Sequence, residues 1–356
     1  MGKVISIINL KGGVGKTTLA ACLGEFLGIT FRKRTLLIDM DHQTNLTYAM
    51  VPPKTANACT AGRKTIFHML ESALSGNQWS LRDSIVTDCS NIDGSSSLHL
   101  VVSLPDVGHL DEMILEAYEK KNRFASEPRC ILRDHIREEG LMEAYDYILI
   151  DCPPSLGLPT INALLASDYF VVPVVPEFLS LQGLNLIMKR VTGLKDRYDA
   201  NIDFAGTILN KVSIQRTDHK DWSEVLFLSP GEKAKCMREL DDAPKRYQGG
   251  KDIANLDIQK VKFGLILRDL HDMADFDFRP FSLWLGDLKP FYLVTDYGYI
   301  QRKHRKKTYS SIERKYNGVG TNPDPEKWPN LGHGEKHYDL FGRCRDLTGE
   351  LVARCQ

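Results

Sequence analysis

The sequence lacks several features that would place it in a specialised class of protein. No apolar run approaches the roughly 20 residues that a membrane-spanning helix requires, and the longest, at 169–176, is short and contains two prolines. Eight cysteines are present but none forms a CxxC pair, which argues against a disulfide framework or a cysteine-built metal centre. We therefore expect a cytoplasmic protein without stable membrane insertion.

The chain also lacks an excess of charge of either sign. Lys and Arg total 46, and Asp and Glu also total 46. The balance is uneven along the chain: residues 1–212 carry 21 basic and 24 acidic side chains, whereas residues 301–356 carry 12 and 7. Because exposed charges act over about 8–10 Å at physiological salt, one local basic patch can still attract a polyanion. Overall neutrality therefore excludes no nucleic-acid function.

The most informative segment lies at the start of the chain. An apolar stretch at 4–10 precedes the glycine-rich sequence KGGVGKTT, and apolar residues then recur on one helical face. Such a strand–loop–helix unit binds phosphate through inward-pointing backbone N–H groups and the positive end of the helix. In this pattern Lys16 reaches the β- and γ-phosphates and Thr17 offers its hydroxyl to Mg²⁺. The predicted nucleotide-binding loop comprises Lys11, Gly12, Gly13, Val14, Gly15, Lys16, Thr17 and Thr18.

Two further apolar segments end in carboxylates. In the first segment, at 34–47, the apolar run ends at Asp39 and Asp41. In the second, at 145–164, the apolar run ends at Asp151. Segments that are apolar on both faces favour a parallel sheet covered by helices. Open α/β sheets bind their ligands at the carboxyl ends of such strands. The sequence therefore predicts an α/β fold with these carboxylates near the glycine-rich loop.

The loop departs from the usual GxxxxGK[ST] pattern, because Leu10 occupies the position of the first glycine and Lys11 follows it. This arrangement resembles the deviant Walker A motif of the ParA/MinD family of ATPases. The segments at 34–47 and 145–164 are similar to the second motif and the Walker B motif of that family, although His42 and Thr44 replace the usual proline and glycine.

The resemblance covers residues 3–212 and implies a P-loop NTPase-type, mostly parallel sheet flanked by helices, with ATP and Mg²⁺ as cofactors. It implies that Lys11 reaches across an ATP-bridged homodimer to the nucleotide of the partner subunit. Asp39 and Asp151 would assist Mg²⁺ through its water shell, and Asp41 would orient or activate the attacking water. The implied catalytic residues are Lys11, Lys16 and Asp41, and the implied metal residues are Thr17, Asp39 and Asp151.

The resemblance continues through 164–184 and 205–212, which border the adenine in this family. Asn210 carries an amide that can read the adenine edge. Pro176 and Glu177 would flank the adenine base.

After residue 212 the family pattern thins. We expect an ATPase core at 1–212, a divergent C-terminal elaboration at 213–334 that forms an insert or subdomain, and a closing amphipathic helix at 335–356. Residues 213–257 read as helices joined by loops.

The segment 301–315 has seven basic residues and one acidic residue. Such a cluster neutralises phosphates without sequence preference, which predicts non-specific DNA binding. A solvated face or loop is the alternative. The candidate DNA-binding residues are Arg302, Lys303, Arg305, Lys306 and Lys307.

These features predict an ATP-dependent, dimerising ATPase that acts as a molecular switch in DNA or plasmid partitioning or cargo positioning. A ParB-like adaptor or activator is the expected protein partner, and DNA binding would make the protein nucleoid-associated. Two alternatives stay open: a MinD-like membrane-positioning ATPase, and a nucleotide-switched regulatory or effector subunit of a multi-protein mobile-element system.

Overall fold

The structure of the protein is a computed structural model. It describes residues 1–211 except 78, 88, 90–91, 94–96, 120–126 and 176–177, together with 221, 225, 228–248, 260, 307–308 and 345–356. The strands within these ranges are β1 Lys3–Ile7, β2 Thr35–Asp39, β3 Ile85–Val86, β4 Ile92–Asp93, β5 Leu98–Val101, β6 Tyr147–Asp151, β7 Tyr169–Val174, β8 Asp203–Leu209 and β9 Lys307–Thr308.

Seven of these strands form one sheet in the order β3–β5–β2–β6–β1–β7–β8, and β4 pairs with β9 separately. Every neighbouring pair in the large sheet is parallel except β3 with β5. The chain passes from β1 to β2 on one side of the sheet and from β6 past β1 to β7 on the other, so the strand order reverses between β1 and β6. Open α/β sheets bind ligands at such a reversal. The predicted mostly parallel α/β sheet is confirmed.

The central strands are apolar throughout because they supply two cores, one on each face of the sheet. In β2, Leu36 and Leu37 belong to different cores, and in β6 Ile148 and Leu149 do the same. Every residue of β2 and β6 is buried. Successive side chains of a strand point to opposite faces, and helices cover both faces here.

The helices of the described ranges flank this sheet. They are α1 Lys16–Glu25, α2 Asn45–Met50, α3 Pro53–Ala61, α4 Ile66–Leu74, α5 Leu110–Glu119, α6 Ile131–Glu138, α7 Leu141–Ala144, α8 Leu158–Ala166, α9 Phe178–Tyr198 and a further helix Pro230–Gln248. Short 3₁₀ turns lie at Arg82–Ser84 and Pro105–His109, and α1 runs on into a π-helical turn at Phe26–Thr30.

Helix α1, which follows the glycine-rich loop, packs directly on the sheet. A Cβ at Gly24 would lie 2.9 Å from Leu37 Cδ2, which is too close for a side chain. The absence of a side chain at Gly24 therefore lets α1 approach β2. The predicted strand at 4–10 is shorter in the structure, because β1 ends at Ile7 and residues 8–10 belong to the loop.

The Pro230–Gln248 helix lies in the region predicted to contain helices. It begins with a capping box, in which Ser229 N donates to Glu232 Oε2 at 2.9 Å and Glu232 N donates to Ser229 Oγ at 3.3 Å. These bonds satisfy N–H groups that an isolated helix start leaves without partners.

The chain ends in a helix over residues 345–354, inside the predicted amphipathic segment. Leu347, Leu351 and Cys355 are fully buried in the core that α1 also supplies. Arg354 Nη1 donates to Ala205 O at 2.8 Å, which ties the helix to β8. The apolar face of this C-terminal helix is therefore covered by the protein's own sheet.

Among the helices that the structure describes, none has the length and apolar character needed to cross a membrane.

Candidate nucleotide-binding site

The loop between β1 and α1 turns through glycines in the left-handed region, with φ of +75° at Gly13 and +89° at Gly15. Residues with a Cβ rarely adopt this conformation. A Cβ at Gly15 would also collide with Asn210 Nδ2, whereas one at Gly12 or Gly13 would meet nothing within 4 Å. Gly15 therefore permits both the turn and a close contact, and the two earlier glycines face open space.

Asn9 anchors the start of the loop, a role that the loop motif does not reveal. Its buried side chain donates from Nδ2 to Pro173 O at 2.7 Å and accepts from Lys11 N at 2.9 Å. A polar residue inside the apolar segment 4–10 is the only sequence signal of this role. Asn9 links the loop to β7.

Lys16 lies at the base of the loop and is 6% exposed. Its Nζ is 3.5 Å from Lys11 O. Burial lowers the pKa of Lys16, while the negative charges of Asp151 and Asp41 act in the opposite direction. The ammonium group is thus held between the loop and the carboxylates that follow the strands. Thr17 and Thr18 follow it, half-buried, in the first turn of α1.

Asp39 and Asp151 end neighbouring strands and are fully buried. Asp39 accepts hydrogen bonds from Asp41 N at 3.0 Å, Thr47 N at 2.8 Å and Thr47 Oγ1 at 2.7 Å. Burial raises the pKa of Asp39 to about 7, although the Thr47 hydrogen bonds favour the ionised form. These hydrogen bonds fix Asp39 in position next to Asp151, its register partner on β6.

Asp151 is the less satisfied of the two. Neither carboxylate oxygen has a hydrogen-bond partner of normal geometry in the structure as described. Burial and then the charge of Asp39 raise its pKa well above the usual value, and the nearby Thr17 hydroxyl and Lys16 only partly oppose this. A buried carboxylate without partners is costly, so Asp151 is suited to a cation or its water ligands.

This donor set fits Mg²⁺ bound together with phosphate. Within the described ranges, no cluster of three His, Cys, Asp or Glu side chains is arranged to hold a metal ion by itself. Mg²⁺ typically keeps several waters and takes only one or two carboxylates, the remaining ligands being phosphate oxygens. The Thr17 hydroxyl and the Asp151 carboxylate are the groups that fit this requirement, with Asp39 behind them.

Asp41 lies just beyond β2 and is 4% exposed. Its Oδ1 accepts from Gln43 N at 3.0 Å and is 3.4 Å from His42 Nδ1. The two substitutions relative to the family pattern thus leave Asp41 buried near Lys16. Thr44 takes a left-handed backbone conformation, with φ of +55°, which explains why the family usually has glycine there.

Asn210 directly follows β8 and is fully buried. Its Nδ2 donates to Val14 O at 2.8 Å, and its Oδ1 accepts from Lys211 N at 2.9 Å. Both ends of the amide therefore hold the loop and the following turn. Val14 is fully buried at this contact.

Most of the other predicted site residues lie outside the part of the chain that the structure describes. Pro176 and Glu177 lie outside the described residues, as do Arg302, Lys303, Arg305 and Lys306. For Lys307 only the backbone is described, and it pairs with Ile92 in the small sheet.

A glycine-rich loop between a strand and a helix, beside paired carboxylates at the ends of parallel strands, defines a P-loop nucleotide-binding protein. A protein-family profile described as "AAA domain" matches residues 2–204, more than half of the chain. Sporulation initiation inhibitor protein Soj of Bacillus subtilis is 32% identical over 212 residues, which are 59% of this chain and 72% of that protein. The chain belongs to the ParA/MinD family of P-loop ATPases.

A second relative agrees with this assignment. Chromosome-partitioning ATPase Soj of Treponema pallidum is 32% identical over 208 residues, covering 58% of this chain and 70% of that protein. Among solved structures, apo McdA of Cyanothece has a TM-score of 0.56 at 16% identity, covering 97% of this chain and 99% of that one. Cobyrinic acid a,c-diamide synthase of Mycobacterium smegmatis with bound ADP and magnesium has a TM-score of 0.50 at 24% identity, covering 63% and 80%. These two structures share the fold.

Proposed function

We propose that the protein binds ATP with Mg²⁺ in the glycine-rich loop and hydrolyses it to ADP and phosphate. The observation that carries this proposal is Asp151, which is fully buried beside Lys16 and Thr17 and whose carboxylate oxygens have no hydrogen-bond partner of normal geometry among the described residues. Its position at the strand-order reversal gives a cation a place next to the phosphates. A structure of the same fold was solved with ADP and magnesium, which supports the choice of ligand.

Hydrolysis of ATP depends mainly on positioning and charge stabilisation, because the γ-phosphoryl group passes through a loose transition state. In the proposed roles, Lys16 and the loop N–H groups bind the phosphates. Thr17 would offer its hydroxyl to Mg²⁺, and Asp39 and Asp151 would hold the ion through its water shell, so that it would supply positive charge against the phosphates. Asp41 orients the attacking water, and its hydrogen bond from Gln43 N fixes one carboxylate oxygen.

Asn210, with Pro176 and Glu177, is proposed to border the adenine base. In this scheme residues 1–212 form the ATPase core, 213–334 form the insert or subdomain, and the chain closes with the C-terminal helix.

We further propose that ATP promotes a homodimer in which Lys11 reaches the nucleotide of the partner subunit. Hydrolysis then releases the dimer, so the protein acts as a switch in partitioning DNA or positioning a cargo. The relative of Treponema pallidum is named a chromosome-partitioning ATPase, which supports this role. A ParB-like adaptor and non-specific DNA are the proposed partners, and DNA binding would place the protein on the nucleoid.

The switch is tested by measuring oligomeric mass with Mg²⁺ and ATP. Asp41→Ala should remain a dimer after ATP addition, because the water is no longer activated. Lys11→Ala should hydrolyse ATP more slowly than the wild type. If Asp41→Ala is not trapped as a dimer and Lys11→Ala hydrolyses ATP at the wild-type rate, the proposed switch mechanism is wrong.

DNA binding is tested with alanine at Arg302, Lys303, Arg305, Lys306 and Lys307. The expected result is loss of ATP-dependent DNA retention with dimerisation intact. Unchanged retention would contradict the assignment.

The MinD-like alternative requires an apolar helix face that is free to enter a membrane. Leu347 and Leu351 on the C-terminal helix are instead fully buried in the protein core, which favours the partitioning role. Co-sedimentation with anionic lipid vesicles in the presence of ATP separates the two, since only the MinD-like protein would pellet. The effector-subunit alternative is separated by the identity of the neighbouring gene product, which the partitioning role expects to be a DNA-binding adaptor.

A further inference from the structure

Lys211 contacts the glycine-rich loop although it follows β8, far from the loop in sequence, and the sequence predicts no role for it. Its Nζ donates to Gly13 O at 2.7 Å, across 198 positions of sequence. The preceding residue, Asn210, donates from Nδ2 to Val14 O at 2.8 Å. Two consecutive residues after β8 therefore hold two consecutive carbonyl groups of the loop.

The backbone around Lys211 is held in a defined turn. Lys211 has a φ of +54°, in the left-handed region that residues other than glycine rarely adopt. Its N–H donates to Asn210 Oδ1 at 2.9 Å. The chain thus leaves β8 in a turn that places the exposed Lys211 side chain against the loop.

Holding a carbonyl group also orients an N–H group. Because the peptide unit is planar and trans, Gly13 O and the Val14 N–H point in opposite directions, and so do Val14 O and the Gly15 N–H. A phosphate-binding loop works by turning N–H groups inward, and an inward carbonyl would repel the phosphate. Lys211 therefore holds the Gly13–Val14 peptide, and Asn210 the Val14–Gly15 peptide, each by its carbonyl oxygen.

We propose that Lys211 is a positioning residue for the phosphate loop, which strengthens binding of the polyphosphate part of a nucleotide by fixing the Val14 N–H. This inference rests on the proposed function, since it requires a nucleoside triphosphate in the loop. It adds to that function a residue that acts on the phosphates through the loop.

The test uses the full-length protein with Mg²⁺ and two ligands, a fluorescent ATP analogue and inorganic tripolyphosphate as its competitor. Lys211→Met keeps most of the aliphatic stem and removes the hydrogen-bond donor. It should weaken the binding of both ligands by the same factor, about five- to tenfold. Lys211→Arg retains a donor and should restore most of the affinity. Lys195→Met is the matched control, because Lys195 is a partly exposed lysine on α9 whose Nζ contacts Asp203 rather than the loop. It should bind both ligands like the wild type.

The outcomes separate this inference from the proposed function. If the wild type binds neither ligand, the proposed function fails and the inference fails with it. If the wild type binds both ligands and Lys211→Met binds them equally well, only the inference fails. Weakened ATP binding with unchanged tripolyphosphate binding would also overturn it, because Lys211 would then act on the nucleoside. Should Lys211→Met lower the melting temperature, Lys211→Gly replaces it, since glycine accepts the left-handed backbone.

Discussion

Asp39 and Asp151 are register partners on the adjacent parallel strands β2 and β6, and both side chains are fully buried. Asp39 is satisfied by three hydrogen bonds, whereas Asp151 has none of normal geometry among the described residues. Two neighbouring buried carboxylates disfavour their own ionisation, and a bound cation removes that penalty. The pair therefore links protonation, stability and cation binding in one site.

The first prediction concerns Asp151→Asn without nucleotide. The pKa of Asp151 is raised in the folded protein, so its contribution to stability is complete below the unfolded pKa and is lost as pH rises through the folded pKa. Removing the charge should therefore raise the unfolding free energy by about 1–2 kcal/mol at pH 8. The gain should vanish near pH 4, where the wild-type carboxyl is protonated.

Urea denaturation at the two pH values measures this gain. Asp39→Asn is the control, because asparagine has one carboxamide oxygen and loses a hydrogen bond that Asp39 accepts from Thr47 or Asp41. This variant should raise the unfolding free energy by less than Asp151→Asn does. Equal gains from both variants, or none at pH 8, would contradict the account.

The second prediction concerns Thr44, a β-branched residue with φ of +55°. Such residues are strained in the left-handed region. Relief of this strain should outweigh the greater freedom that glycine gives the unfolded chain, so Thr44→Gly should raise the unfolding free energy by about 0.5–1 kcal/mol. Thr65→Gly serves as the matched control, since Thr65 has an extended backbone and its hydroxyl caps α4. That variant should be destabilised, and a loss of stability of the same size at Thr44 would show that the threonine is unstrained.

The third prediction concerns the C-terminal helix. Leu351 is fully buried, so Leu351→Ala should lower the unfolding free energy by about 2–4 kcal/mol through lost packing and a cavity. Leu186→Ala changes a leucine that is 53% exposed on α9. This variant should shift the unfolding free energy by less than about 0.5 kcal/mol. Chemical denaturation of both variants checks this. Equal effects would show that the helix is not part of the core.

The fourth prediction concerns Glu139, which accepts from Leu81 N, Arg82 N, Ser80 Oγ and His135 Nδ1. Burial opposes ionisation, but these hydrogen bonds outweigh it and lower the pKa of Glu139. Its stabilising contribution is therefore present above the unfolded pKa and lost as pH falls through the folded pKa.

Glu139→Gln should accordingly cost about 1–3 kcal/mol at pH 7 and progressively less below pH 4. The neighbouring exposed Glu138 supplies the control, Glu138→Gln. Thermal unfolding across this pH range measures both variants, and a pH-independent cost at Glu139 would be incompatible with the hydrogen-bonded carboxylate.

The sequence predicted the parts of the site that depend on local pattern. The spacing of Gly13, Gly15 and Lys16 predicts a phosphate loop, and the apolar segments before Asp39 and Asp151 predict buried parallel strands, because these signals lie within a few residues of one another. The amphipathic pattern near the C-terminus likewise predicts the closing helix, of which 345–354 are described.

Contacts between distant segments could not be predicted in the same way. The bond from Lys211 to Gly13 O depends on the β8 end lying beside the loop, and no local pattern specifies that. The role of Asn9 depends on Pro173 in β7. β1 ends at Ile7, although residues 8 and 10 continue its apolar pattern.

The most direct test of the account is phosphate release from ATP by the purified protein, with Mg²⁺ or with EDTA, compared with Lys16→Ala. We predict Mg²⁺-dependent release by the wild type that falls by about 100-fold or more in Lys16→Ala, because that variant loses the buried ammonium beside Asp151. Release by the wild type that is no faster than by Lys16→Ala, or that is unaffected by EDTA, would contradict it.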